Sequence, residues 1–408
     1  MVEENNFVFA VEHDGGNGFT KERVDGKRVI FPSLISKVRP GEEPTAISVD
    51  NIQDVKTVLN NYENNMFVSV QSPSLYGNSD RIFVGGLAAS AGSKPFGFNV
   101  NSAEGKSQSD ISLLCLFSSI AYRALSELFT KSGKVPTNIE VEIPKMTTAL
   151  PINEFKRKGV KENFMSRFTK NDHVVIVNNF TEPVTVRIKF DQVDVQPEGV
   201  IGLFGLIGSV KEGKPVYRND DIFSDFKKEN NLDSFNGETV RVIGNVICID
   251  AGDGTIDISV TNGNMPVPKV NSSINAGIGN VIEAANQALT EQYPQYSQMD
   301  RQSFLNIALH GSDKESKYFQ SLMIDQMDMV QDAITEQIKS IFNRLHNQVG
   351  LIVICGGGAS ALKLSYAQEL RKLINELSPL KDISIFWVPE KHTQFLNLEG
   401  LEFRLASM

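Results

Sequence analysis

Residues Val246–Val260 read VICIDAGDGTIDISV. An apolar run (Val246, Ile247, Cys248, Ile249) ends in Asp250, a glycine-rich turn follows, and alternation resumes through Ile256, Ile258 and Val260. That pattern predicts strand, tight turn, strand. Gly252 and Gly254 remove the side chains that would keep a ligand off the backbone, so amide N–H groups can face an anion. Asp250 at the strand end can hold a hydrated metal ion that neutralises phosphate charge. A plain hairpin with an Asx turn has the same local signature.

A second copy of the pattern tips the balance towards a ligand loop. Phe7–Val11 is another apolar run, followed by Asp14-Gly15-Gly16-Asn17-Gly18-Phe19-Thr20. Asp14-x-Gly16-x-Gly18 and Asp250-x-Gly252-x-Gly254 share one spacing, each at a strand exit. Two such turns far apart point to two similar half-molecules gripping one ligand, rather than to a short-period solenoid.

Composition narrows the class. A chain of 408 residues has room for two domains with real cores. A net charge of −9 argues against a broadly basic face, and so against direct nucleic-acid binding. Cys115, Cys248 and Cys355 all sit in apolar runs and read as reduced core residues of a cytoplasmic protein. The start, MVEENN, lacks the basic-then-apolar pattern of a signal peptide. No apolar run is long enough to span a bilayer, Gly199–Val210 being the nearest, and the end, Leu401–Met408, carries no lipidation signal. The expectation is a soluble protein with no membrane partner.

Along the chain, Phe19–Arg23 and Arg28–Ile30 read as strands joined at Asp25-Gly26, and Lys21 lies close enough to the loop to meet phosphate. Residues 32–90 look like a small inserted subdomain. Ile111–Phe129 is a long core helix, Asn138–Ile143 a strand, and Ile152–Phe168 a helix. A strand at Val193–Val195 runs into Gln196-Pro197-Glu198-Gly199 and the apolar helix Val200–Val210. Glu198 has two readings: a carboxylate favoured at a helix N-terminus, or a residue that orients or deprotonates a water attacking a γ-phosphate. Beside two phosphate-type loops the second is preferred. Lys211–Glu238 reads as a polar surface excursion. Gly277 and Gly279 open a helix over Val281–Leu289, permitting either close approach of a ligand or a tight helix start. Leu351–Cys355 is a buried strand that Gly356-Gly357-Gly358-Ala359-Ser360 turns into the helix Ala361–Leu373, placing free amides and a positive helix end at a ligand. Phe395–Leu405 closes the chain as a helix. The five histidines show no zinc-ligand spacing, and there is no Gly-x-Ser-x-Gly elbow.

The order of these motifs resembles the actin-like ATPase superfamily over nearly the whole chain. The phosphate-one motif falls at Asp14–Thr20, the connecting motif at Gln196–Gly199, phosphate-two at Asp250–Asp257 and the adenosine motif at Gly356–Ala359. Within the superfamily the chain looks like the plasmid-segregating actins of the ParM kind, on Phe83-Val84-Gly85, Leu150-Pro151, Pro197-Glu198-Gly199 and Asn397-Leu398-Glu399-Gly400-Leu401. The resemblance implies an α/β fold of two actin-like (ribonuclease H-like) domains, 1–198 and 199–391, each a mixed sheet flanked by helices, with the helix at 392–408 returning to the first. It implies ATP or ADP with Mg²⁺ in a cleft between them. Asp14 and Asp250 would hold Mg²⁺ through water, and Glu198 would position the attacking water. Gly15, Gly16, Asn17, Gly18, Lys21, Gly252, Asp253, Gly254 and Thr255 would line the phosphates. Gly277 and Gly279 would touch nucleotide, and Gly356, Gly357 and Gly358 would lie against the adenosine. It further implies ATP-driven self-assembly into a homopolymeric filament, with plasmid DNA reached through an adaptor protein on a centromere-like site.

A small-molecule kinase of the same superfamily is the alternative, but it needs a substrate-pocket carboxylate beyond those already assigned. A heat-shock-type chaperone would need a substrate domain after the ATPase core. A membrane-tethered actin would need an amphipathic anchor.

Overall fold

The computed structural model of the protein describes residues 5–77, 79–98, 105–267 and 269–408. Most of the acidic start therefore lies outside the described residues. The chain divides into two units. The first runs to Leu150 and from Glu154 to Gln196; the second runs from Pro197 to Ser407 and takes in Pro151–Asn153.

Among its described residues the first unit holds nine strands: β1 (Asn6–Gly15), β2 (Phe19–Val24), β3 (Lys27–Pro32), β4 (Ile35–Lys37), β5 (Met66–Gln71), β6 (Ser79–Val84), β7 (Asn138–Leu150), β8 (His173–Val177) and β9 (Val184–Pro197). They form one sheet in the order β3-β2-β1-β7-β9-β8-β5-β6-β4. Asp25 and Gly26, both at positive φ, make the tight turn between β2 and β3. The stretch expected to be a small inserted subdomain at 32–90 shares the sheet and core of the first unit. Its strands β4, β5 and β6 extend the main sheet, and Val55, Met66, Val68, Ile82 and Val84 sit in the same core as Phe9 and Val11.

The helix Asp110–Ser132 lies against this sheet. Ser109 caps its start through the Ile111 amide, and Gly133 ends it in the left-handed conformation. By length and composition this helix is apolar enough to cross a membrane, which corrects the sequence reading that no run is. Its apolar window is 89% buried inside the protein, so its hydrophobicity serves the core. The helix expected over Ile152–Phe168 is two pieces, Ile152–Phe155 and Val160–Thr169.

The second unit holds a two-stranded ribbon, β10 (Gly208–Lys211) with β11 (Lys214–Tyr217), and a six-stranded sheet. The sheet comprises β12 (Asn245–Ala251), β13 (Ile256–Asn262), β14 (Met265–Pro266), β15 (Ser272–Ile274), β16 (Leu351–Cys355) and β17 (Ser384–Trp387). Its order is β14-β13-β12-β16-β17, with β15 also on β13. Both large sheets share a plan. β1 is antiparallel to β2 and parallel to β7; β12 is antiparallel to β13 and parallel to β16. Asp14 and Asp250 therefore end topologically matching strands.

Two expectations for this unit are corrected. The polar excursion at Lys211–Glu238 buries Phe223, Phe226 and Phe235 against Phe386 of β17, so it is a covering layer rather than a surface loop. The C-terminal helix, Leu396–Ala406, does not return to the first unit. It packs on the helix Val200–Ile207 within the second, at a crossing made close by glycine. A Cβ on Gly400 would run into the Ile201 carbonyl, and one on Gly205 into the Leu396 carbonyl.

Candidate nucleotide-binding loops

In the first unit, Asp14 stands opposite Lys21 in the β1–β2 ladder, and Gly15 opposite Thr20. The Asp14 carboxylate is buried, with Lys21 Nζ 3.4 Å from its Oδ2. The Gly16 amide donates to the Asp14 carbonyl at 3.1 Å. Ser33 Oγ donates to the Gly16 carbonyl at 2.6 Å and shares a hydrogen bond with Thr20 Oγ1. A Cβ on Gly16 would sit 2.6 Å from the Phe19 carbonyl, so only glycine lets this turn close.

The opposite face of the same strand is anchored. His13 lies between Glu22 Oε1, 2.8 Å from Nδ1, and Ser112 Oγ, 3.0 Å from Nε2, all three being buried. Because side chains alternate along a strand, this network and the Asp14–Lys21 pair face opposite ways. The first ties the hairpin to the helix Asp110–Ser132; the second sits at the loop.

Glu12, one residue earlier, is also buried. Burial pushes its pKa from an ordinary 4.5 up to about 7, with Arg23 across the ladder pulling the other way. Between those two values the folded chain keeps a proton that the unfolded chain has released. The stability that Glu12 contributes is therefore full below about pH 4.5 and is lost as pH rises to about 7, by up to about 3 kcal/mol. Glu12→Gln is expected to flatten this slope. Urea midpoints at pH 5 and pH 8 test it, and an unchanged slope in the variant would assign the titration to another group.

The second unit repeats the loop. Asp250 stands opposite Asp257, the Gly252 amide donates to the Asp250 carbonyl at 3.1 Å, and a Cβ on Gly252 would sit 2.8 Å from the Thr255 carbonyl. In both loops the tight glycine meets the carbonyl three residues on. Where the first loop carries Lys21, the second carries a carboxylate, Asp257, which accepts from Thr255 Oγ1 at 3.0 Å. Asn397 Nδ2 donates to Asp250 Oδ2 at 2.9 Å.

The glycine turn after β16 meets this loop. Gly356 has φ +91°, a conformation costly for any residue with a Cβ, and a side chain there would strike Asp250 Oδ1 and the Ala251 carbonyl. The Gly358 amide donates to the Ala251 carbonyl at 2.8 Å, and Thr393 Oγ1 donates to the Gly356 carbonyl at 2.9 Å. Gly357 differs: no protein atom lies within 4 Å of its would-be Cβ.

Gly277 and Gly279 have a packing reason. The Gly279 amide donates to the Asp253 carbonyl, the Ile278 amide to that of Gly252, and a Cβ on either glycine would strike Asp253. They let the segment at 275–279 close onto the phosphate-two loop, which accounts for them without a ligand. Arg301 adds an ion pair to Asp253 at 3.4 Å.

Glu198 follows β9 and precedes Gly199, whose φ is +78° and whose Cβ would press on Ser259 Oγ of β13. Glu198 is 8% exposed, and the cap of the helix Val200–Ile207 is Gly199, not Glu198.

The second unit thus brings together Asp250, Gly252–Thr255, Gly277, Gly279 and Gly356–Gly358 and also holds Glu198, whose neighbour Gly199 meets Ser259 of β13; the first holds Asp14–Gly18 and Lys21. Asn397, Thr393, Asp257, Arg301 and the His13–Glu22–Ser112 network were not found as site residues from sequence. Among the described residues no three His, Cys, Asp or Glu side chains cluster to hold a metal. Mg²⁺ requires no such cage, since it keeps most of its waters and takes one or two carboxylates with phosphate oxygens. Asp14 in the first unit and Asp250 in the second are each a carboxylate of that kind beside a glycine-rich amide loop.

Comparison with known proteins bears on the family and the fold. Residues 13–200 match the family model "Actin like proteins N terminal domain", and residues 248–366 match "Archaeal actin homologue MreB-like, C-terminal". No curated protein sequence matches the chain. Among solved structures the fold is similar to actin-like protein Alp7A, with TM-score 0.65 and 16% identity, covering 98% of this chain and 96% of that one. It is similar to Bacillus thuringiensis ParM with ATP, with TM-score 0.60, 15% identity and 98% of both chains covered. It is also similar to a non-polymerisable quadruple mutant of pCBH ParM, with TM-score 0.57 and 19% identity, covering 97% of this chain and 99% of that one. At these identities the structural likeness is one of fold. The two family matches span about three quarters of the sequence, taking in Asp14 and Glu198 in one and Asp250 and Gly356 in the other, and the chain belongs to the actin-like proteins.

Proposed function

We propose that this protein binds ATP with Mg²⁺, hydrolyses it, and polymerises into a filament whose lifetime the hydrolysis limits. The single observation that carries this is the matched pair of loops, each leaving a buried aspartate at the end of the corresponding strand of its sheet. Phosphoryl transfer to water needs in-line positioning and charge neutralisation more than covalent chemistry. The loop amides and Lys21 would bind the phosphates, and Asp14 and Asp250 would hold the hydrated Mg²⁺, which would supply neutralisation of phosphate charge. Glu198 orients the attacking water and takes its proton. The bare face of Gly357 suits a ligand lying against the turn. ParM of Bacillus thuringiensis has been solved with ATP, which supports the choice of nucleotide, and the description of a pCBH ParM mutant as non-polymerisable supports assembly as the readout.

The filament would move plasmid DNA through an adaptor protein, a division of labour in keeping with a net charge of −9. The cytoplasm suits three buried cysteines that are free thiols. Binding of a fluorescent ATP analogue, titrated with and without Mg²⁺, tests the nucleotide reading. Asp250→Ala is expected to weaken Mg²⁺-dependent binding about 10-fold or more. Full retention of binding would remove Asp250 from the metal site.

A further inference from the structure

We propose that Asn397 is a positioning residue for the phosphate reaction, acting through Asp250; this rests on the ATPase reading above. Asp250 is constrained on both carboxylate oxygens. Its Oδ2 accepts from Asn397 Nδ2 at 2.9 Å, and its Oδ1 lies against the backbone of the Gly356 turn, where a Cβ would collide with it.

Asn397 is itself held firmly. It is the second residue of the helix Leu396–Ala406, which the Gly205–Gly400 crossing locks to the helix Val200–Ile207. Its Oδ1 is buried with no hydrogen-bond partner and faces Gly202 of that helix, 2.8 Å from where a Cβ would be. A buried amide oxygen left unpaired is costly, so this orientation is maintained by what the Nδ2 group gains at Asp250. Neighbouring residues brace the same segment. Thr393 Oγ1 holds the Gly356 carbonyl, and Glu399 Oε2 accepts from buried Arg218 at 2.5 Å, which also donates to the Gly205 carbonyl at 2.8 Å.

The stretch from Thr393 to Glu399 therefore fixes the glycine turn, the metal-site carboxylate and the helix that begins immediately after Glu198 and Gly199. An amide donor suits this position because it fixes the carboxylate rotamer. An aspartate at 397 would set like charges at hydrogen-bond distance, and leucine would fill the space with no donor.

Asn397→Leu, nearly isosteric, and Asn397→Ser, shorter but with a hydroxyl donor, make the test, with Asp250→Asn as the reference. Three readouts are used: Mg²⁺ titration of fluorescent ADP binding, kcat and KM for phosphate release from Mg-ATP, and urea unfolding of the nucleotide-free protein. For Asn397→Leu, the Mg²⁺ concentration for half-maximal binding should rise about 10-fold and kcat should fall about 10-fold, with KM for ATP within about twofold. Asn397→Ser should recover part of both. In the nucleotide-free protein, the Asn397→Leu, Asp250→Asn double variant should shift the urea midpoint by less than the two single shifts combined. Magnesium dependence and kcat within twofold of wild type in Asn397→Leu, while Asp250→Asn loses both, would overturn the proposal and leave the ATPase reading standing. Unaltered Mg²⁺-dependent binding and turnover in Asp250→Asn would overturn both.

Discussion

Replacing Glu198 by alanine is expected to lower phosphate release at least 100-fold while leaving Mg-ATP binding within about threefold of wild type. The residue is 8% exposed, and it follows a long strand and precedes a glycine whose positive φ turns the chain into a helix. A carboxylate placed there by backbone geometry, with the cap position filled by its neighbour, is the residue that the proposed function assigns to the attacking water. Filaments of the variant should form on Mg-ATP and persist longer, because their nucleotide is not consumed. Phosphate release by coupled assay and binding by fluorescence separate the two effects. Unchanged release would return Glu198 to a structural role.

Gly400→Ala is expected to destabilise the second unit by about 3 kcal/mol or more. The methyl group would overlap the Ile201 carbonyl, and Gly205 on the facing helix is equally committed to the Leu396 carbonyl. Neither contact ends at a flexible side chain that could swing aside, so the helices must separate. Their separation withdraws Asn397 from Asp250, and nucleotide binding should weaken along with the unfolding midpoint. Urea unfolding followed by circular dichroism gives the first effect. A midpoint shift corresponding to less than about 1 kcal/mol would show that the crossing tolerates a wider spacing.

The parts of the fold that could be read from sequence are those in which chemistry is local. Each phosphate-type loop is spelled by consecutive residues, an apolar strand ending in aspartate and then spaced glycines, because a tight turn and an open backbone demand glycine at fixed offsets. The hairpin at Asp25-Gly26 and the long helix after Ser109 are legible for the same reason. The sequence shows an inserted subdomain at 32–90 but not that its strands β4, β5 and β6 extend the main sheet, because pairing partners are set by contacts far along the chain. Nothing in Phe67–Val70 names β8 as its neighbour. Phe223, Phe226 and Phe235 lie among charged residues at no regular period, which hides a buried layer inside a polar stretch.

The candidate site divides along the same line. Asp14, Asp250 and Gly356 announce themselves by position in a motif. Asn397 meets Asp250 across 147 residues, and its only sequence signal is its place in the Asn397–Leu401 cue. Gly277 and Gly279 show a second reason that the sequence hides: a glycine pair before a helix invites a ligand reading, and the pair also packs against Asp253 of the phosphate-two loop.

Right-angle light scattering of the purified protein on addition of Mg-ATP, with phosphate release followed in the same sample, tests the central claim most directly. The account predicts scattering that appears above a critical protein concentration and decays as phosphate is released. Phosphate release without scattering at any concentration would contradict it and favour a kinase-like use of the same loops.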